Sequence, residues 1–90
     1  MKYFVYILQS LKDKKFYIGC TSDLNKRLED HNNGKNKSTR HRKPFKIVYS
    51  EEFLDKYSAF KREYFLKSSK GFLEKKRIIN NLFYSGVAQR

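Results

Sequence analysis

Short apolar runs separated by polar breaks organise this chain. From Lys2 to Gln9 the run KYFVYILQ is apolar on both faces and rich in aromatic and β-branched residues, which predicts a strand covered on both sides. The polar stretch Ser10–Lys15, with Asp13 as turn former, separates it from FYIGC at Phe16–Cys20. The two runs therefore predict an antiparallel hairpin turning near Lys12–Asp13. Thr21, Ser22 and Asp23 offer successive N-caps before Leu24 and Leu28, the apolar positions of an amphipathic helix that ends at Asn33–Gly34. Lys35–Lys43 (KNKSTRHRK) has no apolar periodicity and predicts an exposed loop without an element of its own, closed by Pro44. Phe45–Phe53 (FKIVYSEEF) alternates and predicts a third strand paired with the hairpin.

Asp55 caps a predicted helix to about Ser68, with Tyr57, Ala59, Phe60, Tyr64 and Leu66 as packing residues. Gly71 breaks it before a last helix that packs through Phe72, Leu73, Ile78, Ile79 and Leu82. The expected fold is α+β in the order ββαβαα, a small three-stranded, mostly antiparallel sheet flanked by about three helices. A single domain spans 1–90, with residues 1–85 as its ordered core and Gly86–Arg90 expected to fray.

Charge changes the picture more than composition does. Hydrophobic residues make up 39% of the 90, and eight Phe and seven Tyr supply the core in the absence of Trp. Against 9 acidic residues stand 21 Lys and Arg, a net charge of +12, which predicts a polyanionic partner bound by counterion release. The lone Cys20 excludes an internal disulfide and a Cys-rich zinc site, which points to a reducing compartment and to Cys20 as a small buried hydrophobe. No window is long and apolar enough to span a bilayer, and the N-terminus lacks the pattern of an export signal. A cytoplasmic protein without membrane association, monomeric by default, is expected.

Several polar residues break the local pattern. Glu63 lies beside Ala59, Phe60 and Leu66 in helical spacing, so its carboxylate needs either a metal or a cation such as Lys67 at i+4. Arg27 and His31, at i and i+4, project from one helix face. A phosphate between them would relieve their mutual repulsion, with Arg27 forking onto its oxygens and neutral His31 taking a proton; a solvated face explains the pair equally well. Tyr6 and Tyr17 lie near cross-strand opposition on the hairpin, and a one-residue slip in register would send one hydroxyl to the far side.

The runs FVYIL and FYIG, followed by T-x-D-L-x-x-R-L-x-x-H-N-x-G, closely resemble the GIY-YIG nuclease domain, especially its short stand-alone bacterial members and the N-terminal nuclease domain found in excision repair. Tyr6 takes the place of the first signature's tyrosine, Tyr17-Ile18-Gly19 repeats the second, and Arg27, His31 and Glu63 match the family's arginine, histidine-or-tyrosine and metal-binding glutamate. The resemblance implies phosphodiester hydrolysis around one divalent cation, Mg²⁺ or Mn²⁺, held by Glu63. Arg27 would neutralise the phosphate, and His31, Tyr6 or Tyr17 would handle the nucleophile's proton. Phe4 stands where the first signature has glycine, and Lys75 where larger members carry an asparagine.

Lys35, Lys37, Arg40, His41, Arg42, Lys43 and Lys46 form the expected phosphate-gripping surface, with DNA favoured over RNA and single-stranded or branched substrates as plausible as duplex. The resulting expectation is a metal-dependent endonuclease, structure-selective or non-specific, of DNA repair, recombination or turnover. A nucleic-acid-binding module of the same fold with weak or no catalysis is the alternative. A small protein-interaction domain would explain the charge but not the ordered motif.

Overall fold

The computed structural model describes residues 2–88. Its elements are β1 (Tyr3–Ser10), β2 (Phe16–Thr21), α1 (Leu24–Asn32), a 3₁₀ turn at Arg40–Arg42, β3 (Phe45–Phe53), α2 (Lys56–Lys67), a second 3₁₀ turn at Ser69–Gly71, and α3 (Phe72–Ala88). This is the expected ββαβαα order. The helix α3 continues through Gly86 to Ala88, where fraying was expected, and Gln89 and Arg90 lie outside the described residues.

All three strands pair antiparallel in the order β2-β1-β3, so β1 is central and β2 forms an edge. The hairpin turn is built by short polar side chains: the buried Ser10 hydroxyl accepts the N–H groups of Lys12 and Asp13, and the Asp13 carboxylate accepts that of Lys15. The register pairs Tyr6 with Gly19 and Leu8 with Tyr17, and a bulge between Ile7 and Leu8 shifts the pairing with β3.

Because side chains alternate across a strand, β1 feeds two cores. Val5 and Ile7 face α2 and α3, packing with Ile18, Ala59, Leu66 and Ile78. Tyr6 and Leu8 face α1, packing with Phe45, Tyr17, Leu24 and Leu28. The sheet is thus the middle of three layers. Asp23 caps α1 through the Lys26 N–H, and Asp55 caps α2 through that of Ser58. At the α2–α3 corner Gly71 packs so tightly on the Phe65 carbonyl that no Cβ would fit.

Three expectations need correction. The loop 35–43 does carry an element, because the Asn36 carbonyl accepts the N–H groups of Thr39 and Arg40 and the Thr39 carbonyl then accepts that of Arg42, which closes the 3₁₀ turn at Arg40–Arg42. On α2 only Ala59 and Leu66 are buried, while Tyr57, Phe60 and Tyr64 face outward; Phe72, Leu73 and Leu82 of α3 are exposed as well. The side of α2 that meets the sheet is held instead by Arg62, whose guanidinium bridges Glu51 of β3 and Glu74 of α3 at 2.8–2.9 Å. Cys20 is half-buried rather than buried.

Candidate active site

Tyr6 is fixed by the hairpin itself. Its ring lies flat across Gly19, its cross-strand partner, so closely that a Cβ there would overlap the phenol. The glycine of Tyr17-Ile18-Gly19 is therefore required by the tyrosine on the neighbouring strand. Across the α1 layer the Tyr6 hydroxyl lies 3.5 Å from His31 Nε2, and the Tyr17 ring meets the imidazole edge-on with centroids 5.0 Å apart. Phe45 closes a third side of the imidazole at 5.7 Å. Asn32 holds Phe45 there by pairing with both its backbone N–H and its carbonyl, a two-sided clip that the sequence pattern did not reveal.

His31 is sealed from solvent, with 0% exposure. Burial and the nearby Arg27 charge hold its pKa below the ordinary value, so the imidazole is neutral at neutral pH. Its second nitrogen, Nδ1, lies 2.9 Å from the hydroxyl of Thr39, itself buried and oriented by the Asn36 carbonyl. With that carbonyl accepting the Thr39 proton, Thr39 Oγ1 accepts from Nδ1–H, which leaves Nε2 as the free acceptor facing Tyr6. Thr39 is a second residue that the sequence pattern did not reveal, since nothing in a basic, aperiodic segment marks a threonine as buried.

The Tyr6 phenol is pushed up to about 12, chiefly by burial, with Arg27 pulling it down and Tyr17 and Glu63 pushing it further up. Both Glu63 and Arg27 also act on the Cys20 thiol, which burial first and then Glu63 raise. Tyr6, Tyr17, Arg27, His31 and Glu63 thus share one electrostatic neighbourhood at the β2 edge. The half-buried Glu63 carboxylate is ion-paired with Lys67 at 2.9 Å, and Lys67 in turn lies 5.7 Å from the centre of the Tyr17 ring. Among the described residues no cluster of three or more His, Cys, Asp or Glu side chains forms a metal cage. A single carboxylate nonetheless suits Mg²⁺, which retains waters and completes its shell with phosphate oxygens.

A cleft of about 400 Å³ opens beside this group, lined by Arg27, Asp30, His31, Lys35, Asn36 and Lys37. Lys35 is shared with Asp30 at 3.3 Å, whereas Lys37, Arg40, His41, Lys43 and Lys46 are exposed and have no carboxylate partner among the described residues. Arg42 differs from the rest of the expected phosphate-gripping set. Its guanidinium turns inward onto Asp13 at 3.0 Å and over the Phe45 ring, so its charge is already matched.

The model of the GIY-YIG catalytic domain matches residues 2–77. A UPF0213 protein of Clostridium perfringens is 49% identical over 65 residues, covering 71% of this chain and 69% of that relative. Another, from Lactococcus lactis, is 42% identical over 81 residues, covering 89% and 77%. The solution structure of a UPF0213 protein from Bacillus halodurans superposes with a TM-score of 0.52 at 36% identity, covering 89% of this chain and 84% of that one. This chain belongs to the GIY-YIG family, a nuclease family. No helix among the described residues is long and apolar enough to cross a membrane.

Proposed function

We propose that this protein is a Mg²⁺-dependent endonuclease that hydrolyses phosphodiester bonds in DNA, structure-selective or non-specific, serving repair, recombination or turnover. The observation that carries this reading is the buried chain Tyr6–His31–Thr39, set in one electrostatic neighbourhood with Arg27 and Glu63. Glu63 would hold the cation, Mg²⁺ or Mn²⁺, once Lys67 swings away. When bound, that cation polarises the scissile phosphate and stabilises the leaving oxygen.

The residues of the chain divide the remaining work. Tyr6 stays protonated at rest, because burial opposes its ionisation, so it acts as a relay rather than a standing base. The attacking water gives its proton to the Tyr6 oxygen as Tyr6 passes its own to His31 Nε2, and Thr39 on Nδ1 holds the imidazole in the accepting tautomer. Arg27 offers its planar fork to the phosphate. The exposed cations beside the cleft grip flanking phosphates without reading sequence.

The test incubates labelled single-stranded, duplex and branched DNA, and RNA, with the protein in the presence of Mg²⁺ or Mn²⁺ or a chelator. Cation-dependent DNA cleavage that falls roughly a hundredfold or more in Glu63→Gln and in Arg27→Ala is expected. Cleavage that survives chelation or Glu63→Gln would refute the mechanism. Tight binding without cleavage would establish a binding module instead.

A further inference from the structure

The outward face of α2 is an unexplained surface. Tyr57, Phe60 and Tyr64 recur at helical spacing and stand 72%, 46% and 77% exposed, while Ala59 and Leu66 take the side toward the sheet. Phe72, at the start of α3, is 51% exposed. Three exposed rings along one face of a twelve-residue helix mark a contact surface rather than ordinary surface composition. Lysines crowd these rings: Lys56 lies 5.2 Å from the centre of Phe60, Lys61 5.3 Å from Tyr57, and Lys75 and Lys76 each 5.8 Å from Phe72. None of the four lysines has a carboxylate partner within ion-pair distance among the described residues.

The face is also continuous with the site. Lys56 acts on the same Cys20 thiol as Glu63 and Arg27, and Lys75 lines a cleft of about 210 Å³ together with Tyr17 and Lys67. Flat rings alternating with unpaired ammonium groups match the two parts of a single strand, bases that stack and phosphates that need countercharge. In a duplex the base faces are already stacked. A second copy of this chain would bring the same lysines and the same +12 against the face, so like charge opposes self-association there.

We infer that the outer face of α2, with Phe72 of α3, binds a single-stranded segment of DNA, its bases on Tyr57, Phe60, Tyr64 and Phe72 and its phosphates on Lys56, Lys61, Lys75 and Lys76. This rests on the reading of the protein as a DNA nuclease and deepens it: the substrate carries an unpaired strand beside the scissile bond.

Binding measured in chelator separates the two readings, because it does not require cleavage. Fluorescence anisotropy of a labelled oligothymidylate and of a blunt duplex is titrated with the wild type and with Tyr57→Ala, Phe60→Ala and Tyr64→Ala. Each substitution is expected to weaken oligothymidylate binding by roughly fivefold or more and duplex binding by less than about twofold. Tyr64→Phe, which keeps the ring, restores wild-type affinity. Since the chain has no Trp, its tyrosine emission reports directly, and oligothymidylate should quench it less in Tyr64→Ala. Equal losses on both DNAs, or no loss, would overturn the inference. So would unchanged DNA binding where the alanine variants instead dissociate a dimer in gel filtration or abolish binding to anionic phospholipid vesicles.

Discussion

A methyl group added at Gly19 would land on the Tyr6 phenol, meeting its oxygen, its Cζ and, at 3.0 Å, its Cε2. The ring cannot simply step aside, because Tyr6 is buried with His31 at its hydroxyl and Leu8 and Phe45 around it. Overpacking of this kind costs about 1–3 kcal/mol, against which the lower chain entropy of alanine returns only about 0.5–1 kcal/mol. For a domain of this size each kcal/mol moves Tm by about 4–8 °C, so Gly19→Ala should melt roughly 5–15 °C below the wild type. The decisive assay is a thermal double-mutant cycle with Tyr6→Leu, a side chain that lacks all the atoms the new methyl would meet. In that background Gly19→Ala should cost little or become stabilising, giving a coupling of about 1–3 kcal/mol. Costs that agree within about 0.5 kcal/mol in the two backgrounds would refute the claim that this glycine exists to seat Tyr6.

Other outcomes follow from the same geometry. Thr39→Val leaves His31 Nδ1 buried without its partner, which should cost about 1–3 kcal/mol, with Thr39→Ser restoring it; imidazole ¹⁵N shifts that stay unchanged in the valine variant would contradict the assigned tautomer. His31 is held below its ordinary value of 6.5, so under that value the unfolded chain binds more protons than the folded one, and stability rises with pH through the window and is lost on acidification. Melting from about pH 7 to about pH 5.5 should show Tm falling, with a shallower slope in His31→Gln; identical slopes would count against the buried neutral imidazole. Lys67→Met removes the ammonium that competes for Glu63, and for a pair this exposed the Mg²⁺ needed for half-maximal cleavage should fall by up to about fivefold. A higher requirement would mean that Lys67 helps the site rather than guards it.

The strands and helix starts were legible because their signals are local. Apolar runs, the turn-forming Asp13 and the caps Asp23 and Asp55 act within a few residues, and β3 and α2 fall where the pattern put them. The misread features depend on distant partners. Thr39 is buried by His31, Arg42 turns inward because Asp13 and Phe45 wait for it, and Asn32 reads as one more polar helix residue until β3 arrives beside it. On α2 periodicity alone could not choose a face, since apolar residues lie on both sides. Of the five expected packing residues, Ala59 and Leu66 are buried as read, while the sheet-facing side rejects the larger rings of Tyr57, Phe60 and Tyr64.

The topology explains why the candidate site forms where it does. His31 and Arg27 belong to the layer on one face of the sheet, and Glu63 and Lys67 to the layer on the other. Through the middle of a sheet such groups would be separated by a strand's worth of packed side chains. At β2 the sheet ends, so Lys67 reaches round to the Tyr17 ring and the Glu63 charge is felt at the Tyr6 phenol. An edge strand normally invites another chain to pair with it, and lysines are a common defence. Here Lys67 and Lys75, lining the cleft beside Tyr17, place charge at that edge. The same open edge that must be kept from pairing with another strand is where, under the proposed function, groups from the layers on both faces of the sheet would meet a single phosphate.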